Sequence, residues 1–221
     1  MSKALVIGHS GGIGSALAAE LDARGYEVTG LSRSTEGLDV TDEASVASAI
    51  GALTGPFDVI LCATGALEID GAVPEKTIRA LTPKAMLDQF ALNAVGPAMV
   101  MKHAGPLLPR DRRAVMAVLS ARVGSIGDNR IGGWYAYRTA KAAVNQVVHT
   151  AAIELARTHK QAICVALHPG TVATKFTEKY AGRHKTVPPQ EAAANLLDVL
   201  AGLTADQSGG FFDYSGAEVP W

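Results

Sequence analysis

The chain has 221 residues, 48% of them hydrophobic and 19% charged, with 20 basic side chains against 21 acidic ones. This length suits one α/β domain without a separate substrate domain, and so high a hydrophobic share excludes a disordered chain. The near-balance of charge argues against a nucleic-acid partner, which would call for a basic face. Residues 4–7 read as a first short strand, and residues 13–24 as a helix that Gly25 stops. Residues 26–31 form a second strand, and residues 58–63 another, entered through Gly55-Pro56. A long helix is expected over residues 83–103. Ala114–Leu119 is a continuous apolar run, the mark of a strand buried on both faces. A second long helix follows over residues 137–159, then a buried strand over 162–167 and a late helix over 191–203. Residues 209–221, rich in glycine and aromatics, read as a final strand and a docked tail.

No apolar run approaches the roughly 20 residues of a membrane helix, so no membrane partner is expected. The first strand runs straight into a glycine loop, which leaves no room for a secretory h-region. Cys62 and Cys164 lie in apolar strand-like runs and read as buried free thiols of a reducing, cytoplasmic compartment. The six histidines show no metal-ligand spacing, and no metal is expected.

Strands that alternate with helices imply parallel pairing through helical crossovers. Between the first strand and the first helix stands Gly8-His9-Ser10-Gly11-Gly12-Ile13-Gly14. Glycines there let the backbone turn tightly and leave room for a diphosphate to approach a helix N-terminus. Together these features give the expected fold: α/β, a single Rossmann-type doubly wound parallel sheet with helices on both faces. The end of the second strand, Leu31-Ser32-Arg33-Ser34, carries no acid to bond a ribose 2′-hydroxyl. Arg33 can instead meet a 2′-phosphate with charge-assisted bonds, so NADP(H) is expected over NAD(H). His9 either touches the adenosine phosphate or is a solvated loop residue.

Tyr137-Arg138-Thr139-Ala140-Lys141 opens the second long helix. Residues four apart share a helix face, so the phenol and the ammonium are neighbours. A nearby cation favours a phenolate and lowers the tyrosine pKa, which suits Tyr137 to proton transfer with a carbonyl.

With these motifs the chain resembles the short-chain dehydrogenase/reductase family, in the branch of C-factor-like and sniffer-like carbonyl reductases. Gly8 to Gly14, Gly124-Ser125-Ile126-Gly127, Gly132 to Lys141 and His168-Pro169-Gly170-Thr171-Val172-Ala173-Thr174 carry the likeness, and the ending fits too. The resemblance implies a small carbonyl or alcohol substrate, with Tyr137 as proton donor or acceptor. It implies that Lys141 lowers the tyrosine pKa and bonds the nicotinamide ribose, and that Asn93 holds the water of a proton relay. For the cofactor it implies Gly8, Ser10, Gly11, Gly12, Ile13 and Gly14 around the diphosphate. Ser32 and Arg33 would then meet the adenosine ribose, and Asp39 with Val40 the adenine. The alternative reading of Asp39 is a helix N-cap or turn residue. Ala63, Thr64 and Gly65 would line the cofactor beyond the third strand. Pro169, Gly170, Val172 and Thr174 would hold the nicotinamide carboxamide and diphosphate.

Two departures matter. The family places a serine three residues before Gly124, where this chain has Ala121. Ser120 or Ser125 would have to replace it, although Ser120, as a strand neighbour, should point to the opposite face. Cys62-Ala63-Thr64-Gly65 replaces the family's usual Asn-Asn-Ala-Gly. The alternative function is a non-catalytic dinucleotide-binding signalling or sensor protein of the same fold. A nucleotide-sugar epimerase would need a larger C-terminal domain. Residues 175–185, with Lys175, Lys179, Arg183, His184 and Lys185, correspond to the family's substrate lid and read either as a basic lid or as a solvated face. Small and apolar residues around much of both long helices predict a homodimer or homotetramer.

Overall fold

The computed structural model describes residues 1–180 and 186–221. Strands β1 (Lys3–Ile7), β2 (Glu27–Leu31), β3 (Val59–Cys62), β4 (Ala114–Leu119), β5 (Ala162–His168) and β6 (Phe211–Asp213) form one parallel sheet in the order β2-β1-β3-β4-β5-β6. The apolar strands are continuous because both faces are covered. Leu5, Ile7, Ile60, Cys62, Met116 and Val118 pack with α2 (Glu43–Gly51), α4 (Gly96–Ala104) and α5 (Tyr135–Leu155). Their strand neighbours Ala4, Val6, Val59, Leu61, Val115 and Ala117 pack with α1 (Gly12–Ala23) and α6 (Pro189–Gly202). Alternate residues of each strand thus feed opposite helical layers. The strand order reverses between β1 and β3, which opens a crevice at their C-terminal ends, where such sheets bind ligands.

Two elements depart from the sequence reading. The helix expected over residues 83–103 is broken into α3 (Pro83–Phe90), a π-helical turn (Ala91–Val95) and α4. Pro97 is the physical reason: it has no N–H to donate to the carbonyl of Asn93, four residues before it. The turn therefore widens around Asn93, and such π-turns often mark functional sites. Helix α2 is an element the sequence reading passed over. Asp42 caps it by accepting from the Ala44 N–H at 3.0 Å, and Val46 and Ile50 bury its inner face.

The ending behaves as expected. β6 pairs with β5, and the Trp221 ring stacks on Phe211 at 5.9 Å. Both cysteines are free and buried. Part of the apolar circumference of the long helices serves the chain's own fold. Val144, Val148 and Ala152 are spent inside the chain's own core. Leu87, Val95 and Ile153 are the exposed apolar side chains on these helices. Among the described residues no helix is long and apolar enough to cross a membrane.

Candidate active site

The glycine loop has the shape its composition predicts. A Cβ on Gly14 would fall 2.1 Å from the Gly8 carbonyl oxygen, and one on Gly8, at φ +87, would fall 2.8 Å from that of Ala63. A Cβ on Gly12 would strike the Thr174 methyl at 2.7 Å. No side chain caps the start of α1 at Gly11. The result is a backbone cradle at a helix N-terminus, suited to an anion, with Thr174 brought onto it from the far end of the chain. Val172 is buried, and Gly170, at φ +77, passes 2.9 Å from the Tyr214 ring when a Cβ is placed on it.

Beyond β2 the structure adds a residue the sequence reading missed. Glu36 turns back onto the strand end, accepting from the Ser32 N–H at 2.7 Å and from the His9 ring at 3.0 Å. It also accepts from the Thr35 hydroxyl, which with the other bonds draws its pKa down to about 2. The only signal available was an acid four residues after Ser32, inside a serine- and threonine-rich turn. His9 packs on Gly30 and bonds Glu36 and Thr35, so this half-buried ring is held in place and not free. Ser34 donates to Ser10 at 2.8 Å. Arg33 is exposed and, among the described residues, forms no salt bridge, although its charge helps hold the Asp39 carboxyl low. Asp39 closes a turn by accepting from the N–H and hydroxyl of Thr41 at 2.9 and 2.7 Å, and the helix cap is Asp42 instead. Val40 packs against Gly96 at the start of α4.

Beyond β3 the side chains converge. A Cβ on Gly65 would lie 2.6 Å from Asn93 Oδ1 and 3.6 Å from Lys141 Nζ. Asn93 is fully buried and donates to the Ala66 carbonyl at 3.0 Å and to Gln89 at 2.7 Å. Gln89 in turn donates to the Leu67 carbonyl at 2.9 Å, which pins this loop to α3. Cys62 Sγ lies 3.4 Å from the Thr64 hydroxyl. Lys141 donates to the Leu119 carbonyl at 3.0 Å, and its Nζ stands 5.7 Å from the centre of the Tyr137 ring. Trp134 and Phe176 close over that ring at 6.3 and 6.4 Å, and Tyr180 meets Trp134 edge-on at 5.4 Å. Trp134 reaches this position from a left-handed backbone at φ 54.

The electrostatics correct one expectation. The pairing predicts a lowered tyrosine pKa, but burial pushes the Tyr137 phenol up. Burial also brings Lys141 down to about 8. Desolvation outweighs the neighbouring cation because both groups are almost fully covered and the ammonium is committed to Leu119. Ser120 is a second correction. Its buried hydroxyl donates to Asn145 Oδ1 at 2.5 Å, on the core side of α5, as the strand alternation foretold. Ser125 donates to the Pro220 carbonyl and accepts from the Asp128 N–H at 3.0 Å. Both hydroxyls near Ala121 are thus spent elsewhere. Of the basic segment, Lys179 pairs with Glu68 at 2.9 Å. Arg183, His184 and Lys185 lie outside the described residues. Among the described residues no cluster of metal-ligating side chains forms.

A glycine cradle at the sheet's reversal point, with a buried tyrosine and lysine on α5 beside the loop that follows β3, defines a dinucleotide-binding oxidoreductase architecture. Residues 2–184 match the short chain dehydrogenase model, and the chain belongs to that family. It is 31% identical to the 1-hydroxy-2-glutathionyl-2-methyl-3-butene dehydrogenase of a Rhodococcus species, over the full length of both chains. It is 34% identical to the C-signal protein of Myxococcus xanthus, over 79% of this chain and 99% of that one. A short-chain dehydrogenase/reductase from Burkholderia multivorans, solved with bound NADP, superposes with a TM-score of 0.84 at 28% identity, covering 100% of this chain and 99% of the other.

Proposed function

We propose that the chain is an NADP(H)-dependent carbonyl reductase with Tyr137 as proton donor. The observation that carries the reading is the buried Tyr137–Lys141 pair, with Lys141 and Asn93 converging on Gly65. Because burial keeps the phenol protonated, Tyr137 enters the reaction with a proton to give, which suits reduction. The residues fit a nicotinamide dinucleotide: Gly8, Gly12 and Gly14 leave no space for side chains, and the α1 N-terminus offers free donors. Ser10, Gly11, Ile13 and Thr174 would hold its diphosphate, Ser32 and Arg33 its adenosine ribose, and Asp39 and Val40 its adenine. Ala63, Thr64, Gly65, Pro169, Gly170 and Val172 would line the nicotinamide end. When bound, the cofactor supplies the hydride.

The chain's own residues do the rest. Tyr137 Oη gives its proton to the carbonyl oxygen. Lys141, charged below about pH 8, stabilises the phenolate left behind. Asn93 sits where the helix widens, and its carbonyl, denied a donor by Pro97, would hold the water of a proton relay to Tyr137. Trp134 and Phe176 exclude solvent from the ring. With Ala121 in place of a hydroxyl, the substrate carbonyl lacks one polarising donor, a deficit of about 10²–10³ in rate. The exposed Leu87, Val95 and Ile153 support a homodimer or homotetramer. Two free buried thiols support a cytoplasmic setting.

The test is a panel of ketones, aldehydes and quinones with NADPH and NADH, followed at the nicotinamide absorbance. Turnover with NADPH that Tyr137→Phe abolishes, with cofactor binding unchanged, supports the reading. Turnover that survives Tyr137→Phe refutes it. Ala121 favours a second reading, dinucleotide-binding without catalysis, and this expects intact NADPH binding with no turnover on any carbonyl.

A further inference from the structure

Helix α5, which carries Tyr137 and Lys141, begins without a cap of its own. Its cap position holds Trp134, whose indole can accept no hydrogen bond and whose backbone is left-handed at φ 54. A bulky side chain rarely takes that conformation, which persists only where the surroundings hold it. An ordinary cap residue accepts from the second or third N–H of its helix. Here the acceptor comes from 61 residues upstream: the Glu75 carboxylate accepts from the Ala136 N–H at 3.2 Å. The main-chain carbonyl of Glu75 accepts from the Trp134 N–H at 2.5 Å. Glu75 is only 7% exposed, and the Ala136 N–H is its carboxylate's one hydrogen-bond partner among the described residues. The positive end of the 21-residue α5 offsets the burial of that charge. On the other side of the turn, Arg138 donates to the carbonyls of Gly132 and Gly133 at 3.2 and 2.9 Å. Glu75 and Tyr137 line one small pocket, together with Leu67, Ile69, Gln89 and Ala136.

We propose that Glu75 is a positioning residue that caps α5 from the loop after β3. It thereby fixes Tyr137, in the first turn of the helix, and Trp134, which covers the Tyr137 ring. The same loop is already tied to α3 and the π-turn through Gln89 and Asn93. Glu75 adds the tie to the helix that bears the phenol. Without its carboxylate the Ala136 N–H loses its acceptor, the first turn frays, and the phenol shifts. The glycine cradle at α1 is built from other segments and stays in place. The inference rests on the reading that Tyr137 is the proton donor.

The experiment compares Glu75→Ala and Glu75→Gln in the intact chain, each also in a Trp221→Phe background that leaves Trp134 as the one tryptophan. Three readouts are taken: NADPH turnover on the ketone, aldehyde and quinone panel, NADPH affinity by titration, and acrylamide quenching of Trp134. Glu75→Ala should lower kcat about ten- to hundredfold and change NADPH affinity less than about twofold, because the phenol moves and the cradle does not. Quenching of Trp134 should rise about twofold as the first turn loosens. Glutamine keeps the reach and an acceptor oxygen, so Glu75→Gln should stay within about threefold of the parent in every readout. Should Glu75→Ala fail to fold, Glu75→Asp, shorter by one methylene, carries the same expectations.

An unchanged kcat in Glu75→Ala, in a parent that turns over, overturns the inference. So does a loss in Glu75→Gln as large as in Glu75→Ala, or a parallel loss of kcat and NADPH affinity, since the damage is then general. The two readings fail separately. If the parent reduces no carbonyl, or if turnover survives Tyr137→Phe, the proton-donor reading falls and Trp134 decides the rest. Quenching raised in Glu75→Ala and not in Glu75→Gln then upholds Glu75 as the cap of α5, and unchanged quenching overturns it.

Discussion

Replacing Lys141 by methionine should make the protein more stable while silencing it. The ammonium is 3% exposed, and its pKa falls from the ordinary 10.5 to about 8. That drop measures a penalty of about 3 kcal/mol for holding the charge in the fold. Methionine has a similar reach and no charge, so the penalty vanishes. Against this, the Leu119 carbonyl loses the 3.0 Å bond from Nζ, at a cost of about 1 kcal/mol. The net expectation at pH 7 is a gain of about 2 kcal/mol. The pH dependence carries the sign. The folded pKa lies below the unfolded one, so the unfolded chain binds more protons between about pH 8 and pH 10.5, and the parent's stability rises through that window. The advantage of Lys141→Met should therefore shrink as pH rises from 8 to 10.5. Urea denaturation of both proteins at pH 7 and pH 10 measures it. A destabilised Lys141→Met at pH 7, or a gap that ignores pH, would show that the ammonium is not held against a desolvation penalty.

The remaining expectations are briefer. Ala121→Ser should hold or raise kcat, since Ser120 and Ser125 are committed to Asn145 and Pro220 and the new hydroxyl would be the first free one; a loss of turnover contradicts this. Arg33→Ala should narrow the affinity gap between NADPH and NADH by about tenfold, read by fluorescence titration, and an unchanged gap rules out the arginine. Val95→Arg, at a side chain 47% exposed on the helical face, should lower the mass seen by light scattering without lowering the melting temperature of the monomer. A monomeric parent removes the basis for that expectation. Val148→Arg should instead unfold the chain, because Val148 lies in the core.

What could be read from the residues, and what could not, divides along physical lines. The glycine loop was legible because steric need is largely local: a Cβ on Gly8 or Gly14 would meet a backbone atom that stands too close. The double-sided strands were legible because burial on both faces leaves no polar alternation. The interruption at Asn93 was present in the spacing to Pro97, yet the surrounding periodicity masked it. Glu36 was out of reach, since its bonds depend on how a turn folds back and not on any motif. The same holds for the pKa of Tyr137. Spacing puts a cation nearby, whereas the degree of burial that outweighs it emerges only when α5, the loop after β3 and Phe176 are assembled.

Thr174 and Phe176 are two residues apart, one resting its methyl on Gly12 and the other roofing Tyr137. A displacement of either residue would therefore be felt at the other, so the glycine cradle and the Tyr137 ring share one short piece of chain as their cover.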